Sequence, residues 1–529
     1  MANNIFGTEA SEGLLGTSGN DAMFGFGGDD VILAGNGNDF LTGGAGADRL
    51  EGGAGRDQAI WKDSPVGVRV FLSGGRGFGG EAEGDVLVGI EDLAGSEFDD
   101  VLSGDDSVNA LFGRGGNDTL KGAGGNDVLL GDGGDDILMG GSGADELNGG
   151  GGVDTASYSG SSVGVVVSLI TNVAAYGDAQ GDTFTLVENL IGTSYADTLI
   201  GHDGANVISG GGGNDTLKGF GGNDTLRGED GNDILMGGSG DNTMIGGLGS
   251  DTYLVDNRND VIVEAGGQGI DLVRTSVSYV LTSGADVEIL ETSDPNGTAP
   301  LFLLGNANGN TIIGNNGDNR LNGQGGVDQA IGRGGNDTYL VDNANDSVIE
   351  NGGQGNDTVF TNVSWVMTPG SDVELLATVA EVIATDISLT GNANGNVIRG
   401  NFGNNTINGG DGRDNLTGLA GQDRFLFDTP LNAATNVDCI TDYAGGFDTI
   451  LLDQDIFSSS LGLGNISAGE LAFSTAAQDA NDRIIYDHDT GALFYDNDGA
   501  GGNAQVQFAT LDAVNGTRPF LTNLDFLVV

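Results

Sequence analysis

Five aspartates, Asp118, Asp127, Asp136, Asp145 and Asp154, recur nine residues apart between residues 113 and 157 without a slip. Each is sixth in a nonapeptide of the form G-G-x-G-x-D-x-U-x, where U is a large apolar residue, as in GRGGNDTLK, GAGGNDVLL and GDGGDDILM. The glycine-rich half can take φ > 0 and turn tightly where a side chain would clash. The x-U-x half makes a very short strand with its apolar side chain inward. Two nonapeptides then form one coil of two strands and two turns, and coils stack about 4.8 Å apart as parallel strands. Each aspartate lies beside the one two nonapeptides further on. Two carboxylates and the turn carbonyls make an all-oxygen cage, which suits Ca²⁺ with about 6–8 ligands at roughly 2.3–2.6 Å. A bound cation also removes the repulsion that so many neighbouring carboxylates create.

The sixth position can be followed along the chain. A first roll carries Glu12, Asp21, Asp30, Asp39, Asp48 and Asp57, and its degenerate Glu12 unit reads as a polar cap of the kind that ends repeat arrays. A second carries Asp100, Asn109, Asp118, Asp127, Asp136, Asp145 and Asp154. A third carries Asp197, Asn206, Asp215, Asp224, Asp233, Asn242, Asp251 and Asp260. Later come Asn310, Asn319, Asp328, Asp337 and Asp346, then Asn396, Asn405, Asp414 and Asp423. The candidate calcium ligands are the aspartates of this series from Asp21 to Asp251, together with Asp328, Asp337, Asp414 and Asp423. Asparagine keeps an oxygen donor and drops the charge, so the asparagine coils read as weak or empty sites. There a structural role fits better, since asparagine tolerates the left-handed conformation and forms side-chain ladders.

Stepping along these repeats predicts an all-β fold: a parallel β-roll or β-helix solenoid, interrupted by β inserts and closed by a β-rich C-terminal cap. The rolls are expected at 1–60, 95–157, 192–263, 305–349 and 391–427. The inserts are expected at 61–94, 158–191, 264–304 and 350–390, and the cap at 428–529. Val68, Val70 and Leu72 alternate like a strand and recur as Val165, Val167 and Leu169. The same offset of 97 carries Ile90-Glu91-Asp92-Leu93 onto Val187-Glu188-Asn189-Leu190. A second duplication, offset by 86, relates DTYLVDNRND at 251–260 to DTYLVDNAND at 337–346. Duplicated repeat units argue for elongation rather than for a globular catalytic body. Trp61 and Trp365 fall in inserts and are expected in the core.

The chain has 529 residues, 101 of them glycine, and 77 acidic against 18 basic residues, for a net charge of −59. That charge argues against nucleic acid or an anionic membrane as partner. It argues for cations, because low hydrophobicity with high net charge leaves a chain expanded. The one cysteine, Cys439, allows no intrachain disulfide and reads as a small buried apolar residue. No run of 18 apolar residues exists to span a membrane. MANNIFGTEASEGLLG lacks the basic and apolar regions of a Sec signal. Extracellular-type calcium sites, with Kd about 10⁻⁴–10⁻³ M, would stay empty in resting cytosol. The site of action is therefore expected outside the cell, with an export signal elsewhere in the chain.

These nonapeptides resemble those of the RTX family, the repeats-in-toxin or hemolysin-type calcium-binding proteins, over residues 7–427. The tail is similar to the C-terminal region of type I secretion substrates. There D-x-I-x-D-[FY]-x-x-G-x-D-x-I maps onto Asp438 to Ile450, and an acidic residue before terminal hydrophobics maps onto Asp525-Phe526-Leu527-Val528-Val529. The same terminal hydrophobics also suit a buried final strand. The resemblance implies a C-terminal uncleaved signal, type I secretion machinery as a partner, and a chain that threads out unfolded and folds on external calcium.

No enzyme is expected. There are two histidines, His202 and His488, and no H-E-x-x-H. Gly160-Ser161-Ser162-Val163-Gly164 matches G-x-S-x-G, but it precedes a strand, and its duplicate Asp63-Ser64-Pro65-Val66-Gly67 lacks the first glycine. Two function classes remain. One is a secreted, calcium-binding structural protein that self-associates as a surface-layer, filament or matrix subunit. The other is a polysaccharide-binding or polysaccharide-modifying module, or an adhesin on a cell-surface polysaccharide.

Overall fold

A computed structural model describes residues 3–457 and 461–529. Each regular nonapeptide forms a strand whose first residues are the x-U-x triplet, as in Thr119–Gly124, Val128–Gly133, Ile137–Ser142 and Glu146–Gly151. The U residues Leu111, Leu120, Leu129, Leu138 and Leu147 are all fully buried. Their register is the one the period demands. Leu111 pairs with Leu129 and Leu129 with Leu147 in one sheet, while Leu120 pairs with Leu138 in the other. Alternate nonapeptides thus feed alternate parallel sheets, and the core is the ladder of apolar residues between them. Each such side chain contributes roughly 1.5–3 kcal/mol. Among the described residues there is no α-helix, only four three-residue 3₁₀ turns.

The regular turns take left-handed backbone at the second and fourth places. Gly134, fourth in its unit, has φ of 128°, and a Cβ there would strike the carbonyl of Gly116 in the coil before. The second place is less strict than the template suggests. Arg114, Ala123 and Asp132 occupy it with φ of 82°, 90° and 69°, at roughly 1–2 kcal/mol each.

The chain divides into two compact units, 1–271 and 272–529. The first unit contains a nine-stranded sheet beginning at Asn3–Phe6 and ending at Thr183–Thr185, and a fifteen-stranded sheet from Gly13–Leu15 to Val261–Val263. A third sheet starts at Val173–Ala175 and Val166–Ser168. The first insert lies inside the fifteen-stranded sheet as a meander. Arg69–Phe71 pairs antiparallel with Arg76–Phe78, and parallel with Val101–Ser103 of the following roll. Val86–Val88 pairs parallel with Arg49–Ala54 of the preceding roll. The predicted strand residues Val68 and Val70 are fully buried, and so is Trp61 at 1 % exposure.

The second unit contains a thirteen-stranded and a seven-stranded sheet as well as further strands. Trp365 is buried there. Composition shifts beyond residue 428, but the sheets do not stop. Asp438–Ile440 continues parallel from Asn415–Thr417, and Thr449–Leu452 from Arg424–Phe427. The terminal strand Phe526–Val528 pairs parallel with Thr449–Leu452, with Phe526 and Val528 buried. The tail therefore ends as a core strand, as one of the two sequence readings held. Cys439, in the strand Asp438–Ile440, is only half-buried.

Candidate metal centre

Each regular turn holds its aspartate by a bond from the coil before. The N–H of Asp118 donates to Asp136 Oδ1 at 2.8 Å, and that of Asp136 donates to Asp154 Oδ1 at 2.8 Å. In the alternate turns, Asn109 donates to Asp127 Oδ1 at 2.8 Å and Asp127 to Asp145 Oδ1 at 2.7 Å. The other carboxylate oxygen, Oδ2, is buried and without a hydrogen-bond partner in Asp118, Asp127, Asp136, Asp145 and Asp154. Its surroundings are shown by the first glycine of each turn. A Cβ on Gly122 would run into both Asp127 Oδ2 and the carbonyl oxygen of Gly140. Gly113 faces Asp118 Oδ2 and the Gly131 carbonyl, and Gly131 faces Asp136 Oδ2 and the Gly149 carbonyl, in the same way. Carboxylate and carbonyl oxygens of neighbouring coils thus converge on one point, with no donor from the chain. An unpaired buried carboxylate oxygen costs several kcal/mol, and an oxygen-liganded cation is the partner that fits this donor set.

The same N–H bond to Oδ1 and the same unpartnered Oδ2 recur at Asp30, Asp39, Asp48 and Asp57, at Asp215, Asp224, Asp233 and Asp251, and at Asp328, Asp337 and Asp414. Four candidate ligands differ. Asp21, Asp100 and Asp197 accept bonds from both the N–H and the hydroxyl of Thr17, Ser96 and Thr193 respectively. These hydroxyl residues occupy the second place of the turn, so the chain itself satisfies those carboxylates. Asp423 Oδ2 is not among the buried oxygens left without a partner, and its Oδ1 accepts both the N–H of Asn405, at 2.8 Å, and its side-chain amide, at 3.1 Å.

The asparagine turns are closed by their own amides. Asn242 Nδ2 donates to the carbonyls of Gly238 and Gly240 at 2.9 and 3.4 Å, and Asn405 Nδ2 to those of Asn401 and Gly403 at 3.0 and 2.8 Å. Asn319 does the same with Asn315 and Gly317. These carbonyls belong to the second and fourth places, so an NH₂ group stands where a cation would need oxygen. In Asn109, Asn206, Asn310 and Asn396 the amide instead donates to the carbonyls of Glu91, Glu188, Val287 and Val373.

Several residues outside the nonapeptide series complete the ladder. Asp48 N–H donates to Asp85 Oδ1 at 2.8 Å, and Asp145 N–H to Asp182 Oδ1 at 2.9 Å. Asp85 Oδ2 accepts from Trp61 Nε1 at 3.0 Å, and Asp182 Oδ2 from the Tyr158 hydroxyl at 2.9 Å. Glu91 and Glu188 receive the N–H groups of Asp57 and Asp154, both at 2.8 Å. Beyond the last nonapeptides, Asp438 and Asp448 take the N–H groups of Asp414 and Asp423 at 3.2 and 3.0 Å. The signal for the insert residues was present, since the 97-residue duplication preserves Asp85 as Asp182 and Glu91 as Glu188.

Burial pushes these carboxyl groups up, and N–H donation from the coil before only partly offsets it. Asp118 rises to about 8, with the charges of Asp100 and Asp136 adding to burial. Asp127, Asp136 and Asp145 rise to about 6, and Asp215, Asp328 and Asp337 to about 7. Without metal these carboxyl groups therefore hold a proton more tightly than an ordinary aspartate does.

The RTX calcium-binding nonapeptide repeat, taken four copies at a time, matches residues 6–41, 24–59, 88–120, 121–156, 185–217, 218–253, 304–339 and 390–425. No curated protein matches the chain.

Proposed function

Since the chain belongs to the RTX calcium-binding nonapeptide-repeat family, we propose that it is a secreted, non-catalytic structural protein that folds outside the cell on binding calcium and serves as a surface-layer, filament or matrix subunit. The observation that carries this reading is the ladder of buried carboxylates, whose Oδ2 atoms recur without a partner from Asp30 to Asp414. Only five ion pairs occur among the described residues, and none involves a carboxylate of the regular turns. Such a chain resists folding where calcium is scarce and gains stability site by site where it is abundant. At ten times Kd each site adds about 1.4 kcal/mol.

Export by type I machinery follows from the resemblance of residues 438–450 and 525–529 to substrates of that route. Among the described residues no helix is long and apolar enough to cross a membrane. The polysaccharide-linked role is the second reading, and a binding and turnover screen on acidic polysaccharides would register it.

The test is size-exclusion chromatography with light scattering and circular dichroism, with and without calcium at millimolar concentration. The expected result is an expanded, β-poor chain in chelator and a β-rich, self-associating one in calcium. A monomer that does not attach to cells in calcium would overturn the structural-subunit reading. A chain equally folded in chelator would overturn the calcium-driven one.

A further inference from the structure

Two places in the chain replace the regular turn by a different cluster of donors. In the first unit, Asp251, Glu264 and Asp271 bring carboxylate oxygens within 4.8 Å of one another, all three residues buried. In the second unit, Asp337, Glu350 and Asp357 do the same. The 86-residue duplication relates the two sets member by member. Glu264 and Glu350 stand 18 residues after Gly246 and Gly332, where a regular coil supplies a glycine carbonyl. Here a glutamate side chain enters instead. Asp271 and Asp357 receive the N–H groups of Asp251 and Asp337, each at 2.8 Å across 20 residues rather than 18, so a two-residue insertion has been absorbed to keep the aspartate in place.

A tyrosine points into each cluster. Tyr253 and Tyr339 hold the U position, where other units carry a residue without a hydroxyl, and both are fully buried. The Tyr253 hydroxyl bonds Glu264 Oε1. The Tyr339 hydroxyl has no hydrogen-bond partner, and neither do Glu350 Oε1, Glu350 Oε2 and Asp337 Oδ2. A Cβ on Gly332 would meet the Tyr339 hydroxyl, Asp337 Oδ2 and Glu350 Oε1 together, and one on Gly246 would meet the matching atoms of Tyr253, Asp251 and Glu264. The donors are therefore aimed at one point in each copy. Burial pushes the Glu350 carboxyl up to about 9, and the charges of Asp357 and Asp337 add to it. The N–H groups of Gly332 and Asn351 lie near enough to offset this in part, but neither aligns for a hydrogen bond. Glu350 is 3 % exposed, so water does not relieve it.

We infer that each cluster is a distinct three-carboxylate, one-phenol binding site for a hard divalent cation such as Ca²⁺, built on Asp251, Tyr253, Glu264 and Asp271 and again on Asp337, Tyr339, Glu350 and Asp357. It differs from the regular turn by a third carboxylate in place of a backbone carbonyl. Ligand charge is what tunes such sites toward tighter binding, so these two load before the regular turns. Glu264, Asp271, Glu350 and Asp357 lie outside the stretches that match the nonapeptide repeat. The inference does not rest on where the protein works or whether it assembles.

Terbium, an oxygen-seeking ion that tyrosine sensitises, tests it on the full chain. Crystals grown with terbium should show anomalous peaks between Asp337 Oδ2, Glu350 Oε1 and the Tyr339 hydroxyl, and at the matching point near Tyr253. Peaks at the regular turns with none at these two points would overturn the inference and leave the clusters as proton-sharing carboxyls. In solution, sensitised emission should rise over the first two equivalents and be displaced by calcium. The E264Q/E350Q chain should lose that first phase, with at least about tenfold weaker binding at these sites, while its regular turns still load. An unchanged first phase would equally overturn the inference. Should the variant fail to fold, the anomalous map of the unaltered chain still decides.

Discussion

Asp127 divides its two oxygens between tasks. Oδ1 accepts the N–H of Asn109, and Oδ2 turns toward the Gly140 carbonyl with no donor to meet it. Two predictions belong at this scale. The first concerns pH. An unfolded aspartate titrates near 4, whereas burial holds Asp127 and Asp136 at about 6 and Asp118 at about 8. The metal-free fold thus binds protons more tightly than the unfolded chain does. This contribution is full below pH of about 4 and is lost as pH climbs through about 6 to 8. Calcium needs the same groups deprotonated, so its affinity rises over that window. The rise in melting temperature from limiting to saturating calcium should widen from about pH 5 to about pH 8, and a constant rise would refute the assignment. The second concerns Gly122, whose φ is not in the left-handed region. Gly122→Ala adds no backbone strain but drives a methyl group against Asp127 Oδ2 and the Gly140 carbonyl, which must shift. It should lower stability at saturating calcium by about 1–3 kcal/mol, and by less at limiting calcium, as read from paired denaturant titrations.

At the scale of elements, the apolar ladder carries a prediction of its own. Leu129 is fully buried between Leu111 and Leu147 on adjacent strands. Leu129→Ala should cost about 2–5 kcal/mol at limiting and at saturating calcium alike, which separates packing from metal effects in the same assay. The strands and their register were legible because one apolar residue per nine and one aspartate per nine admit a single phase. The inserts were legible only in part. Alternation of Val68 and Val70 marks a strand, but nothing in it says that Arg69–Phe71 pairs with Val101–Ser103 on one side and Arg76–Phe78 on the other. The shift toward Phe, Ile and Leu after 428 suggested a separate cap, yet the same residues suit the roll's own core, where Ile440 and Ile450 continue the ladder. Glu264 and Glu350 escaped notice because a glutamate in an acidic chain reads as solvated surface. Only the fold turns them inward.

At the scale of the whole molecule, charge decides between two states. A chain at −59 with few basic partners expands when calcium is removed. Monovalent salt screens that repulsion with a Debye length of about 8 Å at physiological strength, but it supplies no ligand to a buried oxygen. The radius of gyration in chelator should therefore shrink as salt rises without the return of β circular dichroism. Recovery of the β signal in salt alone would contradict the role given to the turns. The ladder itself has a direction. In the regular turns from Asp118 to Asp136 the aspartate's N–H is held by the carboxylate of the coil after it, never the coil before. Damage consequently travels upstream: in Asp136→Ala the Asp118 amide should exchange with deuterium faster. Asp154, held by Glu188 at 2.8 Å, should keep its protection, so every coil is guarded by its successor and the chain is vulnerable from one side only.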